Sequence, residues 1–180
     1  AGGPTMTIGS GVTYSTSAGR FSGSTGLLFS NAADSTTPPV SLGTIPNVAT
    51  SNAFSFGAWV RFDQTDTWGR IFDFGAGANN SNLLLTRHVA TNNLYVESRG
   101  NGVAITGTLT VNNAITNGNW MHVALTVNSS NLVTLYINGS SVGSARTLAS
   151  TSVSRNGAEA GIERTRGEGP SKRPVIVISR

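Results

Sequence analysis

The stretch WMHVALTVNSSNLVTLYING, Trp120 to Gly139, reads as two strands and two turns. Through WMHVALTV the side chains alternate. Trp120, His122, Ala124 and Thr126 fall on one face; Met121, Val123, Leu125 and Val127 fall on the other. Both faces are largely apolar, which predicts an inner strand packed on both sides. The polar tetrad 128–131 predicts a four-residue hairpin loop. Asn138-Gly139 then predicts a two-residue type I′ turn, because both central residues of that turn need positive φ. Such turns fix register, so the strands cannot slip by one residue and turn their core side out.

The same writing extends upstream. In FSFGAWVRF, Phe54, Phe56, Ala58, Val60 and Phe62 share one face, and Ser55, Gly57, Trp59 and Arg61 share the other. GLLFS, RIFDFG, NLLLTRHV, NLYVESRG and VAITGTLTV read as further strands, each bounded by Gly, Asn or Pro signals. NAADSTTPP reads as a loop, since adjacent prolines cannot sit in a central ladder. Residues 1–25 are rich in Gly, Ser and Thr and show little periodicity. Short strands at roughly ten-residue spacing predict an all-β, two-sheet antiparallel sandwich of the jelly-roll kind.

Three of these motifs, taken in order, resemble the laminin-G-like, concanavalin A-like jelly rolls. FSFGAWVRF is similar to the family strand that carries a Trp between small residues. WGRIFDFG is similar to the strand that closes on Asp-x-Gly. WMHVALTVNSSNLVTLYING is similar to the hairpin headed by Trp-x-His-Val-Ala and ended by Tyr-x-Asn-Gly. The resemblance runs from about Gly26 to Ala145 and implies a non-catalytic domain of the bacterial surface-protein type, with loops that in some members bind calcium. The family closes on a strand of the type G-x-Ile-Asp-Glu-Val-Arg-Ile-Tyr, and no match to it occurs here. A jelly-roll domain is therefore expected over 1–155, followed by a divergent charged tail over 156–180. Within that tail PVIVIS, residues 174–179, is the one candidate for the missing strand.

Composition narrows the function classes. Only 11% of the 180 residues are charged, against roughly 25% in ordinary soluble domains. The net charge is +4 and the pI about 10.3, but the basic residues are scattered singly, so no nucleic-acid footprint is expected. Cysteine is absent, which excludes disulfides and thiolate metal sites. No apolar run approaches a membrane span, and no membrane insertion is expected. The opening AGGPTMTIGSG has neither the basic start nor the apolar stretch of an export signal. One domain of a larger chain, working outside the cell or at its surface, is the expectation.

Catalysis needs converging groups, and the sequence offers few. Related glucanases of this fold carry Glu-x-Asp-x-Glu on one strand, and no such triplet occurs. Glu97 stands alone in LYVESRG, and Asp73 stands alone in RIFDFG. His122 reads as a structural core residue. His88 reads as exposed near a strand end. Sugar recognition calls for an aromatic platform with planar polar groups; the candidates are Trp68, Arg87, Tyr95, Arg99 and Asn101. Trp68 lies at a loop–strand boundary, whereas Trp59 and Trp120 are mid-strand and read as core. Asp63, Asp66, Asn79, Asn80 and Asn82 supply the oxygens a calcium ion would want, and the same residues also serve as turn formers. The leading expectation is a non-catalytic module that binds carbohydrate or an extracellular protein surface. A structural spacer or adhesion repeat is the alternative, and a divergent glycosidase or lyase is a third.

Overall fold

The computed structural model describes residues 6–9, 12–29, 40–41, 53–63, 65, 68–74, 83–99, 105–130, 132–147, 158–159 and 175–177. Apart from one 3-10 turn, Thr16–Ala18, every regular element among them is a strand. The strands are β1 (Thr7–Ile8), β2 (Val12–Ser15), β3 (Gly26–Phe29), β4 (Val40–Ser41), β5 (Phe54–Arg61), β6 (Arg70–Phe74) and β7 (Leu83–Arg87), then β8 (Leu94–Arg99), β9 (Ile105–Val111), β10 (Trp120–Val127), β11 (Leu132–Ile137), β12 (Ser140–Thr147), β13 (Ala158–Glu159) and β14 (Val175–Val177). Seven form one sheet in the order β12-β11-β10-β5-β14-β3-β2, five form a second in the order β13-β6-β7-β8-β9, and β1 pairs with β4. All pairings are antiparallel. The result is a concanavalin A-like β-sandwich.

The core lies between the two sheets. Ala58, Val60, Val123, Leu125, Val133 and Leu135 of the larger sheet pack with Phe72, Phe74, Leu83, Leu85, Leu94 and Val96 of the smaller. Each large apolar side chain shut away in this manner contributes about 1.5–3 kcal/mol. Phe56 bridges the layers, its ring 4.6 Å from Phe72 and 5.9 Å from Phe74.

β10 pairs with β5 over its whole length, Trp120↔Arg61 to Val127↔Phe54, and with β11 on its other side. Its turns follow the spelling. Asn128 Oδ1 accepts from the backbone N–H of Ser130 (3.0 Å) and of Leu132 (2.9 Å), folding the first loop on its own side chain. Asn138 and Gly139 have φ of 50° and 85°, the type I′ signature. One expectation needs correcting: β10 is not packed on both sides. Its Met121, Val123, Leu125 and Val127 face is buried, while Trp120, His122, Ala124 and Thr126 are only half-buried. Trp59 of β5 stands on that same outer face and is likewise half-buried, so Trp59 and Trp120 are outward-facing rather than core.

One further element departs from the reading. β2 forms an edge strand from VTYS, in a stretch that shows little periodicity, pairing Val12↔Phe29 through Ser15↔Gly26. The slot of the absent closing strand is taken by β14, which lies between β3 and β5 with Val175↔Leu28, Ile176↔Leu27 and Val177↔Trp59.

Candidate functional site

The outward face of the five-stranded sheet is laid out by register. One row across it is Asp73, Leu84, Glu97 and Thr108; the next is Arg70, Thr86, Tyr95 and Thr110. A regular strand would send Arg70 and Asp73, three apart, to opposite faces. The register shift between Arg70 and Phe72 adds one residue to β6, and both then land outside. There Arg70 Nη1 donates to Asp73 Oδ2 at 2.6 Å, with the side chains 16% and 14% exposed.

Trp68, His88, Tyr95 and Glu97 form a continuous chain at one end of this face. The β7–β8 connection folds back on itself: His88 N–H donates to the Asn93 carbonyl (3.0 Å) and Thr91 N–H to the His88 carbonyl (3.2 Å). That closure holds the His88 imidazole stacked over Tyr95, with centroids 4.6 Å apart and planes at 25°. Trp68 stands nearly perpendicular to both, 5.2 Å from His88 and 5.8 Å from Tyr95. The Tyr95 hydroxyl donates to Glu97 Oε2 at 3.1 Å. Tyr95 and Glu97 are buried, while Trp68 and His88 are half-buried. Trp68 holds a φ of 57°, an uncommon conformation for a bulky residue and one that costs about 1–3 kcal/mol.

The structure thus brings Trp68 and Tyr95 together and adds His88 and Glu97 to them. Tyr95 and Glu97 are two apart on one strand, so their common face is readable from spacing; the closeness of His88 depends on how the 88–93 connection folds. Arg87 goes elsewhere. It pairs with Leu94 on the inward face, is fully buried, lies 4.7 Å over the Phe62 ring and donates from Nη2 to Asn117 Oδ1 at 2.5 Å. Asn117 Nδ2 in turn donates to Thr65 Oγ1 at 3.2 Å, so Arg87 clasps two connections to the end of β7. Arg99 closes β8 opposite Ile105, and its side chain lies outside the described part of the structure. Asn101 lies outside the described residues.

Of the oxygens weighed for calcium, Asp66, Asn79, Asn80 and Asn82 lie outside the described residues. Asp63 is described, and both of its carboxylate oxygens are bonded to Arg61, at 2.7 Å from Nε and 3.1 Å from Nη2. That guanidinium occupies the place a cation would take on Asp63. Among the described residues no group of three or more His, Asp or Glu side chains is placed to hold a metal ion. His122 is anchored through its backbone, its N–H donating to Asn138 Oδ1 at 2.9 Å and its carbonyl accepting from Asn138 N–H at 2.8 Å. Its ring lies 5.2 Å from that of Trp59, on the outer face of the larger sheet. No helix among the described residues is long and apolar enough to cross a membrane.

Solved structures with a similar fold include the binding domain of Paraclostridial Mosquitocidal Protein 1, with a TM-score of 0.70 at 14% identity, covering 97% of this chain and 42% of that one. The binding domain of botulinum neurotoxin serotype G aligns with a TM-score of 0.68 at 14% identity, over 96% of this chain and 41% of that one. A structure of botulinum neurotoxin type C, a toxin whose cell entry depends on interaction with two ganglioside molecules, aligns with a TM-score of 0.65 at 14% identity, over 96% of this chain and 41% of that one. The chain therefore spans about two fifths of these domains, and at such identity the likeness is one of fold. No curated protein sequence matches it. The family profile of laminin G type matches residues 34–172, from the segment before β4 into the tail, and the chain belongs to the concanavalin A-like lectin/glucanases superfamily.

Proposed function

We propose that this domain is a non-catalytic recognition module that binds carbohydrate at the Trp68 corner of the five-stranded sheet. The observation that carries the reading is the unbroken chain Trp68–His88–Tyr95–Glu97, half-exposed at its aromatic end and anchored on a carboxylate at the other. An indole and an imidazole at right angles offer one ring to the C–H face of a sugar and a ring nitrogen to its hydroxyls. The strained backbone at Trp68 fits a residue held for recognition rather than for packing.

The fold neighbours support this reading. Two are described as binding domains, and the third belongs to a toxin whose cell entry depends on gangliosides, which carry glycan headgroups. The acidic side chains of the face support recognition over hydrolysis, since Asp73 is tied to Arg70 and Glu97 to Tyr95. A module that reads surface glycans belongs outside the cell, as one part of a longer protein.

A glycan array probed with the wild type and with Trp68→Ala tests the proposal, each with calcium and with chelator. The expected result is a glycan hit whose affinity falls tenfold or more in Trp68→Ala, as the loss of about 1.4 kcal/mol of stacking gives. Equal binding by the variant would refute the corner. No binding to any glycan would favour a spacer or adhesion repeat. A hit that survives only with calcium would bring the Asp63 to Asn82 loops into the site.

A further inference from the structure

The outer face of the seven-stranded sheet carries a second constellation, separate from the Trp68 corner. Arg20 and Phe21 follow the 3-10 turn and are laid against Trp59 of β5. The Arg20 guanidinium carbon lies 4.8 Å from the Trp59 ring centroid and 5.0 Å from that of Phe21. Phe21 meets Trp59 edge to face at 5.9 Å and 85°, and Trp59 continues to His122 at 5.2 Å.

The loop that presents these two residues is tightly held. The Ser24 hydroxyl accepts from Phe21 N–H at 2.9 Å and donates to the Phe21 carbonyl at 2.6 Å, and Ser24 N–H donates to the same carbonyl at 3.0 Å. Gly19 touches this turn so closely that a Cβ there would lie 2.0 Å from the Ser24 carbonyl oxygen. All this fixation displays a phenyl ring that is 56% exposed.

Arg20 itself is the sharper clue. Its Nε is closed off from solvent and makes no hydrogen bond, and no described residue bonds to its Nη nitrogens. Leaving a shielded donor unpaired costs about 1–3 kcal/mol. Two ring contacts worth about 0.5–2 kcal/mol each offset that cost. Stacking occupies the flat faces of a guanidinium, and with Nε shielded it is the terminal Nη edge that is left to receive a planar anion. Among the described residues on this face only Asp63 is a carboxylate, and Arg61 already holds it.

We infer that this face is a second binding site, for a saccharide bearing a carboxylate, in which Arg20 receives the carboxylate and the Phe21 and Trp59 rings receive the sugar ring. The choice of a saccharide over an acidic peptide rests on the carbohydrate-binding reading above.

The test is calorimetric titration of the folded domain with four sugars and one peptide. Hyaluronan octasaccharide supplies a uronate and 3′-sialyllactose a sialate; chitohexaose and lactose are the neutral counterparts; polyglutamate is the peptide. At least one acidic sugar is expected to bind tenfold or more tightly than its neutral counterpart. Arg20→Gln removes that preference, Arg20→Lys restores part of it, and Phe21→Ala weakens binding severalfold. If Arg20→Gln does not fold, by thermal unfolding, the exposed Phe21→Ala decides alone. Equal affinity for acidic and neutral sugars, or acidic binding unmoved by Arg20→Gln and Phe21→Ala, overturns the site while leaving the Trp68 reading standing. Binding of polyglutamate but of neither acidic sugar overturns it in favour of a peptide partner, and no binding of any probe overturns it outright.

Discussion

Arg70 and Asp73 face the same side of β6 and form a 2.6 Å ion pair because Ile71 is an extra residue in the strand. The bulge is therefore what converts a three-residue spacing into a contact. With both side chains about one-sixth exposed, the pair is neither a screened surface bridge nor a fully buried one. A double-mutant cycle on Arg70→Ala and Asp73→Ala should show a coupling of about 1–2 kcal/mol in denaturant unfolding. A coupling near zero would mean that each side chain is held by its other neighbours and that the bulge serves some other end.

Positive φ provides a cleaner test, because it separates backbone cost from contacts. Gly139 has φ of 85°, and a Cβ added there would meet nothing within 4 Å, so Gly139→Val should destabilise by conformation alone. The expected loss is about 1–2 kcal/mol, a fall of roughly 2–8 °C in Tm for a chain of this size. Val89 is the reverse case: a β-branched residue at φ 51°, 40% exposed, in the β7–β8 turn. Val89→Gly should raise stability by about 1 kcal/mol. Unchanged stability in both variants would refute the turn assignments.

Much of the sandwich is legible in the sequence, and the reasons for the rest are specific. Alternation identifies the inward faces of β5 and β10, because a residue such as Val123 or Val60 has only one way to be buried. Alternation says nothing about what lies beyond the outer face, so Trp59 and Trp120 read as core when they are not. The pairing of Arg70 with Asp73 is invisible in the sequence because a bulge resets the phase. β2 escapes notice because VTYS is a short strand with one buried residue, Val12. At the site, Tyr95 and Glu97 follow from their spacing. Arg87 does not: its inward direction shows in the alternation with Leu83 and Leu85, but a charged side chain is ordinarily expected to face out.

Arg87 is expected to matter for stability. Its guanidinium fills space over Phe62 and holds Asn117. Arg87→Ala removes the packing and leaves the Asn117 amide oxygen without that donor, a loss of about 2–4 kcal/mol. Arg87→Met restores much of the volume without the hydrogen bond and should recover about half of it. Glycan affinity of the folded Arg87→Met protein should match the wild type. A tenfold loss of affinity without a loss of stability would return Arg87 to the binding site.

The last test concerns how the two sheets are locked at one edge. Gly143 lies in the irregular stretch of β12, where the register against β11 shifts between Val133 and Leu135, and its φ is 69°. A Cβ there would lie 2.4 Å from Leu109 Cδ1 of β9, in the opposite sheet. Two penalties therefore add in Gly143→Ala: about 1–2 kcal/mol for the left-handed backbone, and about 1–3 kcal/mol for crowding Leu109. Leu109→Ala removes the crowding but leaves the backbone cost. In the Leu109→Ala background the further loss caused by Gly143→Ala should thus shrink to the backbone part alone. If the loss is the same in both backgrounds, Leu109 moves aside at little cost and the glycine serves the turn rather than the contact between sheets.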